Sequence, residues 1–233
     1  MPALIHPSWP KLSRRLLVTA GVFLGAFLIV TILVKLGAFG SFNLRLTHAL
    51  QARGSTGQDI ALGIFGYLGS IEVTLVVGIF LGVALFRGLR LLAVLPAAVI
   101  LFAAALEYLG KKTIVSDGPG SAFDRFPNFL PTFSHQVAPY SYPSGHMLRA
   151  TVTYGLVLYL AERWELFGPD SSRLSPVLVL LVALMGYAVI YLGWHWFSDA
   201  LGGLLLGLTL LFGLIAYLER KRTVNPGHPP VED

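Results

Sequence analysis

The chain has 233 residues, 55% of them hydrophobic and 12% charged, with a mean hydropathy of +0.71 and a formal net charge of +5. A soluble domain carries about 25% charged residues, so the composition points away from a soluble domain and toward an integral membrane protein whose basic loops meet anionic lipid. Cysteine is absent, which removes disulfide and thiolate chemistry, and no nucleic-acid-binding motif is present.

A membrane-crossing helix needs about 20 mostly apolar residues. In chain order the first such run is 16–34, behind the basic Lys11, Arg14 and Arg15. No small-residue cleavage site follows it, so it is expected to be a retained helix rather than a leader. Residues 41–69 mix apolar positions with Arg45, His48, Arg53 and Asp59 and read as amphipathic or interfacial helices, broken at 54–57. Further spans are expected at 70–86, 91–109, 145–160, 177–194 and 200–218. Between the third and fourth lies a loop, 110–143, rich in proline, and long ordered loops usually serve function. Residues 219–233 are expected to be a disordered tail. The reading is an all-α polytopic membrane protein: a short N-terminal segment (1–15), one bundle of about six transmembrane helices (16–218), and the tail.

Counting Lys and Arg by side puts ten with the two termini and seven with the long loop. Positive charge favours the cytoplasm, so both termini are expected there. The long loop, the start of the fourth span and the end of the fifth then face outward.

Three stretches meet at that outer face: KKTIVSDGP (111–119), YPSGHMLRA (142–150) and YLGWHWFSD (191–199). Ionisable groups at a membrane edge are costly and usually face a cavity or the bundle interior. His195 and Asp199 are four apart. If that segment is helical, the carboxylate can accept from one imidazole nitrogen and leave the other as a nucleophile. His146 can serve as general acid. Ser144 and Gly145 open the fourth span, and a helix start binds anions; Lys111 and Lys112 add positive charge. Together these describe a phosphate site that calls for no metal or cofactor. Taken singly, each feature has a plainer reading. The His–Asp pair can be structural, Ser144 a helix cap, the lysines snorkelling side chains, and the two histidines with the aspartate a zinc site. Trp194 and Trp196 read as interface anchors. Phe123, Phe126, Phe129 and Phe133 in the loop read as interfacial anchors or as an apolar entrance.

Pro-Ser-Gly-His at 143–146, followed some fifty residues later by YLGWHWFSD, resembles the type 2 phosphatidic acid phosphatase superfamily, over roughly residues 40–218. Its membrane members are six-span enzymes that remove phosphate from lipid phosphates. The resemblance implies that His195 forms a phosphohistidine, Asp199 orients it, and His146 protonates the leaving oxygen. It also implies that Lys111, Ser144 and Gly145 hold phosphate oxygens. The chain departs from the family pattern where Gly118 stands in place of one arginine, and Ala188 and Val189 in place of a Ser-Arg pair. Arginine holds phosphate bidentately and lysine is no equal substitute, so Arg149, three residues after His146, or Arg125 in the loop is the candidate replacement. The function expected is hydrolysis of a lipid phosphate or diphosphate. Head-group transfer on a phosphodiester, or lipid binding without catalysis, are the alternatives. The partners expected are the bilayer and the lipid phosphate substrate, with no nucleic acid; the sequence does not say which proteins, if any, it meets.

Overall fold

Backbone polar groups in lipid must be satisfied within their own segment, so apolar runs become helices. The computed structural model describes residues 9–86, 93–125, 140–164 and 174–224. Among these the chain forms eight helices: α1 (Trp9–Lys35), α2 (Gly40–Gln51), α3 (Thr56–Tyr67), α4 (Ile71–Phe86), α5 (Leu95–Thr113), α6 (Gly145–Trp164), α7 (Leu174–Tyr191) and α8 (Phe197–Val224). The only strand-like pairing among the described residues is an isolated bridge between Asp117 and Tyr140. The fold is all-α, as expected.

Each expected span has a helix at its place. Three segments are long and apolar enough to cross a membrane unaided: Leu12–Lys35, Leu174–Tyr191 and Phe197–Arg220. The α3–α4 pair, bent by 45°, makes at most a fourth. α5 and α6 fall short of that test, and the reason is chemical: α5 carries Glu107, Lys111 and Lys112, and α6 carries Arg149 and Glu162. The count of six is therefore approximate. Residues 41–69 form α2 and α3, separated near Gly54 as expected. α8 runs on to Val224, and the remainder of the tail (225–233) lies outside the described residues, as do loop residues 126–139 with Phe126, Phe129 and Phe133.

α6 is the central post. It packs against α8, α7, α5 and α4; α1 lies along α8, and α3 along α7. From Tyr142 through Tyr154 every residue is buried except His146, which is half-buried. The approach of α8 to this post depends on Gly202 and Gly203. A Cβ on Gly202 would strike the Tyr142 ring, and one on Gly203 would strike the Ser144 carbonyl. Small residues at a helix interface let backbones close in this way. Tyr142 is pinned from the other side by the Thr31 hydroxyl of α1, at 2.8 Å. Burial pushes the Tyr142 phenol up to about 12. At the far end of α6 the Tyr159 hydroxyl donates to Glu219 of α8 at 2.9 Å. The start of α1 and the end of α8 thus share one end of the bundle, and the Pro-Ser-Gly-His stretch sits at the other.

Candidate active site

Ser144 precedes α6 and caps it. Its Oγ accepts from the Met147 amide at 3.4 Å, and its own amide donates to the Asp199 carbonyl at 2.9 Å. Serine is a favoured cap because its short side chain reaches the orphan amides of the first turn. His146, in that first turn, faces the imidazole of His195 with ring centroids 5.7 Å apart.

The second histidine is held by a turn rather than a helix. α7 stops at Tyr191, and Gly193 adopts a φ of +69°, a conformation that side chains resist. A Cβ there would also overlap the Phe123 carbonyl. The Trp194 and His195 amides both donate to the Val189 carbonyl, at 3.0 and 3.1 Å. α8 begins only at Phe197, so Asp199 sits in its first turn and accepts from the Trp196 amide at 2.9 Å. A carboxylate reaching back to the residue before the helix is half of a capping box.

The condition that one helix run through His195 and Asp199 is therefore not met. The expected span at 177–194 ends at Tyr191, and the four-residue spacing bridges a helix start. Asp199 Oδ2 lies 3.9 Å from His195 Nδ1, an ion-pair distance and not a hydrogen bond. That oxygen is taken up by Trp196 N and by the Ser141 hydroxyl, which donates at 2.5 Å. Asp199 is fully buried and His195 nearly so. Asp199 Oδ1 and His195 Nδ1 are both without a hydrogen-bond partner.

The cations gather around an acid. Glu107 of α5 accepts from Lys111 Nζ at 2.8 Å through Oε1 and from Arg149 Nη1 through Oε2. Arg149 is only 4% exposed. The Glu107 carboxyl stands directly over Gly145, where any Cβ would overlap it, and His195 is within its electrostatic reach. The structure thus brings together His146, His195, Asp199, Ser144, Gly145, Lys111 and Arg149. Two expected residues go elsewhere. Lys112 is exposed and lies over the Tyr108 ring. Arg125 is bound in a two-pronged pair by Asp59, at 2.7 and 2.9 Å, and covers the Tyr191 ring. That hydrogen bonding raises the Arg125 guanidinium above its ordinary value. The two tryptophans also do more than anchor. Trp196 donates its indole N–H to the Asp117 carbonyl at 2.9 Å, and Trp194 packs on His146 at 5.5 Å.

Sequence reasoning missed Glu107 and Ser141. Glu107 carried a signal, being the one acid in an otherwise apolar helix four residues before a lysine; such residues usually face function. Ser141 carried none beyond its place beside Tyr142 and Pro143. Chemically, the ensemble offers two imidazoles facing each other, a carboxylate behind one of them, and two cations beside a helix start. Among the described residues no group of three or more His, Asp or Glu side chains comes together as metal ligands would.

Comparison with known proteins places this arrangement in context. The pattern of the PAP2 superfamily matches residues 89–223. Phosphatidylglycerophosphatase B of Bacillus subtilis is 33% identical over 96 residues, a stretch that covers 41% of this chain and 46% of that protein. The chain is thus matched to less than half the length of this curated relative. Among solved structures, a transmembrane PAP2-type phosphatidylglycerolphosphate phosphatase from Bacillus subtilis superposes with a TM-score of 0.74 at 22% identity. That match covers 87% of this chain and 96% of the other. LpxE of Aquifex aeolicus superposes with a TM-score of 0.55, also at 22% identity, covering 76% and 95%. At such identities the structural likenesses speak for the fold.

Proposed function

The chain belongs to the PAP2 superfamily, and from that premise we propose that it is a membrane lipid phosphatase working through a phosphohistidine. The observation that carries this reading is the pair of imidazoles set 5.7 Å apart, with Asp199 behind His195 and with Lys111, Arg149 and the start of α6 alongside. His195 Nδ1 faces Asp199, which leaves Nε2 to attack phosphorus. The bond from phosphorus to the lipid oxygen breaks as His146, as imidazolium, gives that oxygen a proton. Neutral His146 then takes a proton from water, whose oxygen attacks phosphorus; the P–N bond breaks, His195 Nε2 regains its electron pair and phosphate is released. Lys111, Arg149 and the first amides of α6 hold the phosphoryl oxygens. The 3.9 Å gap between His195 and Asp199 leaves two buried polar atoms unsatisfied, a costly arrangement. A small ring movement closes it, as catalytic hydrogen bonds often tighten when substrate binds.

The substrate class is a lipid phosphomonoester or diphosphate, phosphatidylglycerol phosphate among them, in keeping with the name of the Bacillus relative. The site opens on the extracytoplasmic face, with both termini cytoplasmic. That orientation rests on the Lys and Arg bias and on the start of α1 and the end of α8 lying opposite the histidines. A second reading, head-group transfer on a phosphodiester, is favoured by one observation: Gly118 and Val189 stand where the family pattern carries arginines. The test is phosphate release in detergent from phosphatidic acid, phosphatidylglycerol phosphate and undecaprenyl diphosphate, with wild type beside His195→Ala. Release by wild type alone is expected. Release by both, or by neither, would overturn the phosphohistidine reading.

A further inference from the structure

The reaction above has no task for Glu107, yet this residue sits at its centre. The side chain is 15% exposed and meets both phosphate-binding cations, one with each oxygen. Its carboxyl lies against Gly145, the first residue of α6, where a helix start favours negative charge. Arg149 is buried and keeps its Nε without a hydrogen-bond partner, so the guanidinium has donor capacity that the carboxylate does not use. The position where Lys111, Arg149 and the start of α6 converge is thus filled by an anion that the chain itself supplies.

Two anions cannot share that position. We propose that Glu107 is a resident competitor for the phosphate: its carboxylate holds Lys111 and Arg149 in the resting enzyme, yields them to the incoming phosphoryl group, and retakes them to expel the product. This deepens the phosphatase reading and rests on it for the order of events. The chemistry explains why such a group is useful. Two cations beside a helix start bind a phosphate dianion tightly, and inorganic phosphate would linger next to His195 after each turnover. A carboxylate on a flexible stem weakens the hold on substrate and product alike, and lets the site clear. Nothing covalent is required of it.

The experiment compares wild type with Glu107→Gln, which keeps the shape and removes the charge. The first readout is direct binding of inorganic phosphate to the detergent-solubilised protein by calorimetry. The second is inhibition of lipid turnover by the same anion. A resident competitor predicts phosphate binding at least tenfold tighter in Glu107→Gln, with a lower KM and a lower kcat as product release slows. Weaker binding would make Glu107 a scaffold for the two cations and overturn the proposal, as would unchanged binding or no binding to either protein. Should Glu107→Gln not fold, Glu107→Asp retains the charge but draws the carboxylate back from Gly145. Binding about threefold tighter is then expected, and equal or weaker binding overturns the idea. Because the calorimetric arm needs no turnover, loss of the phosphatase reading and loss of this one are told apart. A protein that releases no phosphate from any lipid, yet binds inorganic phosphate more tightly as Glu107→Gln, sinks the first and keeps the second.

Discussion

Two arginine–carboxylate pairs occupy the same end of the bundle, and they differ in what surrounds them. Arg125 and Asp59 are 27% and 20% exposed, joined by two parallel hydrogen bonds, with the Tyr191 hydroxyl adding a third to Asp59 at 2.8 Å. Around them Gln51 donates to the Phe123 and Tyr191 carbonyls, and the Arg125 amide donates to Leu192. This pair is a brace between α3, the loop and the turn after α7. Arg149 and Glu107 are 5% and 15% exposed, joined by one nitrogen, and they border the histidines. One pair is two-pronged and open to solvent; the other is one-pronged, leaves a buried guanidinium Nε without a partner and sets a carboxylate on a helix start. A part-exposed guanidinium gripped by both oxygens of one carboxylate braces a fold. A buried one held through a single nitrogen, with its Nε unpartnered, can receive a ligand.

The difference can be broken most forcefully at Arg149. Arg149→Ala leaves Glu107 buried with one cation in place of two, and removing one partner of a buried pair costs about 3–5 kcal/mol. We expect KM for a lipid phosphate to rise about 100-fold, a loss of about 2.7 kcal/mol of binding, with lowered thermal stability. A change in KM below about threefold would remove Arg149 as the phosphate clamp. Ser141 gives an intermediate effect. Ser141→Ala frees Asp199 Oδ2 from its hydroxyl donor and loosens the carboxylate beside His195, its proposed orienter. Loss of a hydrogen bond to a charged group is worth about 1.5–3 kcal/mol, so kcat should fall at least tenfold while KM holds. A rise in KM with unchanged kcat would place Ser141 in binding instead. Arg125→Ala should do least. A part-exposed pair contributes about 1 kcal/mol or less, so a small fall in unfolding temperature and a KM within about threefold of wild type are expected. A KM effect equal to that of Arg149→Ala would collapse the distinction between the two pairs.

Much of the fold is readable from hydropathy alone, because a lipid-facing helix needs a long apolar run and the chain supplies these with polar breaks between them. The site is readable where its parts are consecutive. Ser144, Gly145 and His146 announce a capped helix start, and His195 with Asp199 announces a polar pair in an apolar setting. What escapes is what only the third dimension brings together: Glu107 meets Arg149 across 42 residues, and Ser141 meets Asp199 across 58. Spacing also misleads at 195–199, where four residues apart suggests one helical turn but Gly193 has already ended the helix. Lys111 and Lys112 show how fine the discrimination is. One residue's rotation on α5 sends the first toward Glu107 and the second out over Tyr108.

Asp199 both stands behind His195 and receives the amide of Trp196, the residue just before α8. A change at this position therefore cannot be read as a change in chemistry alone, since the same oxygen closes the start of a 28-residue helix. On the proposed mechanism, stability and turnover are written on one carboxylate, and no substitution there loses the second while keeping the first intact. An inactive protein made at Asp199 would report a mixture of the two, whereas one made at His195, whose side chain closes no helix, separates them.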